Sequence, residues 1–114
     1  MRTKKKVTPE TGLKKAARDL LALYRIWTFP VLQGLGAYPG IGDRLGIWEK
    51  GSCPHCGGQV PQPMALEFKR PKGYLSEPQK EFKRQWEVRG GLYVPIWKIE
   101  DLAAALGIKT LGVL

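Results

Sequence analysis

Apolar residues recur every three or four positions near the start of the chain, at Leu13, Ala16, Ala17, Leu20, Leu21 and Tyr24. This spacing gathers them on one face of a helix and leaves charged residues on the other face. Thr8 and Pro9 are residue types typical of an N-cap and a first helical turn. The pattern therefore predicts a first helix at residues 9–24.

Three segments of strand character follow this helix. Residues 26–33 (IWTFPVLQ) are aromatic and β-branched, although Pro30 suits an edge strand better than the centre of a sheet. Residues 43–51 (DRLGIWEKG) and 64–70 (MALEFKR) are predicted as the next two strands. Before the second of these segments, the glycine-rich residues 34–42 predict an irregular loop that makes a close approach. Residues 51–63 are predicted as a compact connection.

The second half of the chain predicts helix, strand and helix. Ser76 and Gln79 fit a capping box at the start of a second helix, which Gly90 and Gly91 would end. LYVPIW is a strand segment, and IEDLAAAL is a short helix that stops before Gly107. The order helix, three strands, helix, strand, helix predicts an α/β fold with a mixed sheet flanked by helices.

Length and charge limit the number of domains and the class of partner. A chain of 114 residues with 43% hydrophobic content has enough apolar side chains for one core, so we expect a basic tail at residues 1–7 and a single domain at 8–114. A net charge of +9 favours a polyanionic partner, and nucleic acid is the leading candidate. We expect no membrane span, since no apolar run approaches the roughly 20 residues required. The N-terminus lacks the apolar core of a signal peptide, which predicts an intracellular protein.

Four polar residues fall where this fold would bring them together. Asp43 opens one predicted strand, while Glu67 and Lys69 share one face of its neighbour. Gln79 lies in the first turn of the next helix. Two carboxylates with a nearby backbone carbonyl, such as that of Phe68, suit a divalent cation like magnesium. In phosphodiester hydrolysis a neighbouring lysine can orient the attacking water and stabilise the developing negative charge.

The run from Gly40 to Leu106 resembles the VRR-NUC family of the PD-(D/E)XK nuclease superfamily. PGIGD is similar to the family's glycine-rich loop that ends in an aspartate, although Gly42 replaces the usual proline. EFK at residues 67–69 matches the E-x-K signature. RPKGYLSEPQK resembles the family segment that follows this signature, and it places the family's glutamine at Gln79. GGLYVPIWKIEDL resembles the strand and acidic helix that close the family pattern.

This resemblance implies a restriction-endonuclease-like (PD-(D/E)XK) core and a Mg²⁺- or Mn²⁺-dependent DNA endonuclease. It implies metal binding by Asp43 and Glu67 and catalytic roles for Lys69 and Gln79. Many members carry a glutamate near the start of the first helix, for which Glu10 is the nearest positional match. Stand-alone members are phage or bacterial enzymes, often homodimers related in fold to Holliday junction resolvases. We therefore expect a cytoplasmic homodimer that is selective for branched or junction DNA.

Basic and aromatic residues supply further expectations. A phosphate-contacting surface beside the site is predicted from Arg70, Lys72, Lys80, Lys83 and Arg84. The alternative is an ordinary exposed helix face. We expect Tyr24 and Trp27 in the core rather than stacked on nucleic-acid bases.

Cys53 and Cys56 lie in a C-x-x-C motif within the connection at residues 51–63. This spacing is half of a zinc ribbon, and no second half is present in the sequence. We expect a reduced turn at the tip of a hairpin, with zinc shared between two subunits as the less favoured alternative.

Two other functions fit the same composition. The first is a non-catalytic basic DNA-binding module, which would bind DNA without metal-dependent cleavage. The second is a zinc-stabilised interaction domain, whose binding would depend little on salt. DNA binding through several phosphates would instead weaken steeply as salt rises.

Overall fold

Four strands form one mixed sheet, in the order β1-β2-β3-β4, in the computed structural model, which describes residues 9–34 and 36–108. The strands are β1 (Thr28–Pro30), β2 (Arg44–Ser52), β3 (Gln59–Phe68) and β4 (Leu92–Ile96). The first three are antiparallel neighbours, and β4 runs parallel to β3. The mixed sheet expected from the sequence is therefore confirmed.

Three helices complete the fold: α1 (Pro9–Leu23), α2 (Glu77–Val88) and α3 (Ile99–Ala105). Their order among the strands is the predicted one. Helix α2 connects the parallel strands β3 and β4, which a tight turn cannot join. Ser76 caps α2, and its side chain and that of Gln79 form both bonds of the capping box. Within the described residues, no helix is long and apolar enough to cross a bilayer.

The sheet carries a hydrophobic cluster on each face. Met64, Leu66 and Phe68 of β3 belong to the larger cluster, which includes buried residues of α1 and α3. Ala65 belongs to the second cluster, together with Phe82 of α2. Since successive strand residues point to opposite faces, Glu67 lies on the α2 face of the sheet.

Several strand boundaries differ from the prediction. The connection at residues 51–63 is largely strand, because β2 continues to Ser52 and β3 begins at Gln59 rather than Met64. Pro61 and Pro63 are tolerated in β3 because pairing with β4 starts only at Met64. The missing N–H groups of these prolines therefore do not interrupt a central ladder. Strand β1 is shorter than predicted and is an edge strand, as Pro30 indicated.

Two aromatic residues expected in the core lie on the surface. Tyr24 is 49% exposed and Trp27 is 62% exposed. Both follow the end of α1, where the chain leaves the helix, so the apolar spacing of α1 does not bury them. Trp27 packs on Phe29, with ring centroids 5.1 Å apart. The predicted basic tail, residues 1–7, lies outside the described residues.

Candidate active site

The glycine-rich loop before β2 holds Asp43 against β3. Gly40 has a φ of +79°, and a side-chain carbon there would overlap the carbonyl oxygen of Pro78 in α2. At Gly42 such a carbon would lie 2.8 Å from the carbonyl oxygen of Leu66. Glycine is thus required at both positions because the loop is wedged between α2 and β3. This is the close approach that the sequence predicted.

Asp43 and Glu67 are brought side by side by the antiparallel pairing of β2 and β3. The Asp43 N–H donates to the carbonyl oxygen of Leu66 at 2.8 Å, and Arg44 pairs with Leu66 in the strand register. The Phe68 N–H donates to Asp43 Oδ2 at 2.8 Å, which fixes the orientation of that carboxylate. Both carboxyl groups line an open cleft of about 430 Å³.

Glu67 is a buried carboxyl group with an unsatisfied oxygen. Its relative exposure is 5%, and Oε1 has no hydrogen-bond partner. Burial, followed by a hydrogen bond with Asp43 and the negative charge of Asp43, raises the pKa of Glu67 to about 8. The positive charges of Lys69 and Lys14 offset only part of this rise. Two acids in this arrangement favour sharing a proton or binding a cation.

Lys69 and Gln79 are joined directly beside Glu67. Lys69 Nζ donates to Gln79 Oε1 at 3.0 Å, and the same oxygen accepts the Ser76 N–H at 2.9 Å. The capping and site explanations for Gln79 are therefore compatible, since one oxygen serves both contacts. Glu67, Lys69 and Gln79 also line a second open cleft, of about 300 Å³. The ammonium group is thus held beside Glu67.

The residues present fit a hard divalent cation. Asp43 and Glu67 supply carboxylate oxygens, and Phe68 lines the adjoining cleft with its backbone close to both acids. The unpartnered Oε1 of Glu67 is an oxygen whose burial a bound cation would compensate. No group of three or more His, Cys, Asp and Glu residues suited to a metal occurs in the part of the chain that is described. Glu10 lies in the first turn of α1, but its side chain is outside the described structure.

The predicted phosphate-contacting residues fall into two groups. Arg70 lines the cleft with Glu67 and Lys69, and Lys72 lies in the adjoining turn with a φ of +66°. The three cations on α2 each form an ion pair with a glutamate about one turn away: Lys80–Glu77 at 3.1 Å, Lys83–Glu87 at 2.7 Å and Arg84–Glu81 at 2.6 Å. The charge of this helix face is therefore largely balanced within α2 itself.

Cys53 and Cys56 lie at the tip of the β2–β3 hairpin. The turn is closed by the Cys53 N–H, which donates to Gly58, and the Gly57 N–H, which donates to Cys53. Neither thiol is in a disulfide, and the motif lies at a hairpin tip as expected. Backbone N–H groups of Cys56 and His55 lower the pKa of the Cys53 thiol. The nine residues of β2 separate this tip from Asp43 by roughly 30 Å.

Tyr93 is a site neighbour that the sequence analysis missed. Its hydroxyl is buried without a partner, and its pKa is raised by burial and then by the negative charges of Glu67 and Asp43. Tyr93 pairs with Ala65, two residues before Glu67 on the same face of the sheet. No local sequence signal gives this register, because β3 and β4 are joined by a long crossover. Lys14 of α1 was also missed, although its charge acts on Glu67.

Comparisons with known proteins add no identification. No family model matches the chain, and neither the curated proteins nor the solved structures contain a match.

Proposed function

We propose that this protein is a divalent-metal-dependent DNA endonuclease with a PD-(D/E)XK-type core of the VRR-NUC kind. The proposal rests on one observation: Glu67 is buried beside Asp43 with an unsatisfied oxygen, and Lys69 lies on the other side of Glu67's cleft. A buried like-charged pair is costly unless a proton or a cation offsets it. The net charge of +9 favours DNA as the polyanion that reaches this site.

The roles of the side chains follow from their contacts. When bound, Mg²⁺ or Mn²⁺ would acidify a water molecule and offset negative charge on the phosphate. Asp43 and Glu67 would hold the ion, and the Phe68 N–H keeps Asp43 in position for it. Lys69 places an ammonium where it can orient the attacking water and stabilise the charge that develops on the phosphate. Gln79 positions Lys69 through the 3.0 Å hydrogen bond.

The proposal is tested by incubating branched, nicked and linear DNA with the purified protein and Mg²⁺, Mn²⁺, Ca²⁺ or EDTA. Glu67→Gln and Lys69→Ala are compared with Glu49→Gln and Lys50→Ala, which remove the same charges at exposed positions of β2. We expect metal-dependent cleavage that the first two variants lose and the control variants keep. We expect branched DNA to be cut faster than linear DNA.

A different outcome would favour the alternatives. DNA binding without cleavage in the presence of any of these ions would support a non-catalytic DNA-binding module instead of a nuclease. Stoichiometric zinc, together with binding that is insensitive to salt, would favour the interaction domain. Cleavage retained in Glu67→Gln would refute the proposed site even if the protein proved to be a nuclease.

We also propose that the protein acts as a homodimer inside the cell. Exposed apolar side chains cluster in sequence between the end of α1 and the segment after β1, at Leu23, Tyr24, Trp27, Phe29 and Leu32. Trp27 and Phe29 contact each other at the surface, and exposed apolar patches are typical of interaction sites. Light scattering should give a dimer mass for the wild type and a lower mass for Trp27→Ser. A monomeric wild type would contradict this part of the proposal.

A further inference from the structure

A second groove lies on the α1 side of Asp43. It has a volume of about 360 Å³ and is lined by residues of α1, of the segment around β1 and of the start of β2. Its polar lining includes Thr11, Lys14, Arg18, Gln33, Asp43 and Arg44. Asp43 lines both this groove and the cleft that contains Glu67, so the two spaces adjoin at one side chain.

Two guanidinium groups, those of Arg18 in α1 and Arg44 in β2, share this groove. Arg44 donates through Nε to Thr28 Oγ1 at 2.9 Å and through Nη2 to the Thr28 carbonyl oxygen at 3.3 Å, so its guanidinium group is fixed. The arrangement is unfavourable for two cations unless an anion joins them.

Two acids near Arg18 in the described part of the chain, Asp19 and Asp43, are engaged elsewhere. Asp19, the next residue on α1, forms an ion pair with Lys15 at 3.0 Å. Asp43 accepts the Phe68 N–H and faces the other carboxyl of the site. The groove therefore differs from the face of α2, where each of the predicted phosphate-contacting cations has a glutamate partner.

We propose that this groove binds a backbone phosphate of the DNA strand being cut, next to the phosphate that lies at Asp43 and Glu67. The inference rests on the proposed function for its substrate. Arginine guanidinium groups pair with phosphate oxygens through two parallel N–H bonds, and fixing Arg44 reduces the entropy lost on binding. Arg18 and Arg44 would bind the phosphate. Because Asp43 lines both spaces, the strand would run from this groove into the cleft that contains Glu67.

The test measures binding without catalysis. Fluorescence anisotropy of a labelled DNA duplex is recorded in EDTA, over a range of salt concentrations, for the wild type, Arg18→Ala and Lys15→Ala. Lys15 is a matched control, since it carries the same charge on the same helix and does not line the groove. We expect Arg18→Ala to reduce the slope of log K against log salt by about 0.9 and to weaken binding about tenfold at 0.1 M salt. Lys15→Ala should leave the slope unchanged.

Arg44→Gln supplies a second variant, checked by urea denaturation because it also loses the bonds to Thr28. A folded Arg44→Gln protein with the same reduced slope supports the groove. Equal slopes for Arg18→Ala, Lys15→Ala and the wild type overturn it. The outcome is independent of cleavage. A reduced slope in a protein that does not cut DNA would support the phosphate-binding groove and refute the nuclease proposal. An unchanged slope in a protein that does cut DNA would refute the groove and support the nuclease proposal.

Discussion

Glu67→Gln should stabilise the metal-free protein, because it keeps the size of the buried side chain and removes its charge. The pKa of Glu67 is raised from 4.5 to about 8. A raised pKa means that the folded chain binds the proton more tightly than the unfolded chain does. The stabilising contribution of this proton is therefore fully present below pH 4.5 and is lost as the pH rises to about 8.

The magnitude follows from the size of this shift. One pKa unit corresponds to about 1.4 kcal/mol, so the full shift sets a ceiling of about 5 kcal/mol, reached above pH 8. At pH 7 the proton on Glu67 has lost about 3 kcal/mol of its contribution to the free energy of unfolding, if screening by water is neglected. Water in the open cleft screens part of it, and we expect Glu67→Gln to gain about 1–2 kcal/mol at pH 7.

Urea denaturation of the wild type and Glu67→Gln in EDTA, from pH 5 to pH 8, measures this difference. The gain in free energy of unfolding should grow steadily with pH. Glu49→Gln removes the same charge from an exposed position of β2 and serves as the control variant. A difference between Glu67→Gln and wild type that stays constant over this range would refute the reasoning.

Three further predictions test the surrounding structure. Lys69→Ala should lower the cleavage rate by about 10²–10³-fold and weaken DNA binding far less, as measured by single-turnover kinetics and anisotropy beside Lys50→Ala; equal losses in both assays would contradict the assigned role. Gln79→Ala should lower the free energy of unfolding by about 1 kcal/mol in urea denaturation through loss of the helix cap, and it should also slow cleavage. Unchanged cleavage would show that Gln79 serves only as a helix cap. Gly40→Ala should destabilise the protein by more than about 2 kcal/mol, and Gly34→Ala, which also has positive φ but open space around it, should cost less; equal costs would show that the contact with α2 is unimportant.

The order of elements and the meeting of the site residues were predictable from local patterns. Alternation along β3 places Glu67 and Lys69 on one side, and the antiparallel partner β2 begins directly after Asp43. The position of Gln79 followed from the capping box. These features depend on residues close in sequence, so they could be predicted without knowledge of the tertiary contacts.

Other features depend on contacts between distant parts of the chain. The burial of Glu67 and the approach of Tyr93 are set by the parallel register of β3 and β4, which no turn specifies. The length of the β2–β3 hairpin was underestimated, because residues 59–63 pair only with β2. The ion pairs on α2 could have been predicted, since glutamates and cations recur there at spacings of three and four residues.

Isothermal titration calorimetry with Mn²⁺ tests the cation site at Asp43 and Glu67 most directly. The titration is run at pH 7 in two buffers of different ionisation enthalpy, so that proton release is measured together with binding. With a pKa of about 8, Glu67 is mostly protonated at this pH. We predict saturable binding that releases about 0.9 proton per ion bound at Glu67, and its loss in Glu67→Gln. Binding without proton release, or identical titrations for the two proteins, would contradict the account.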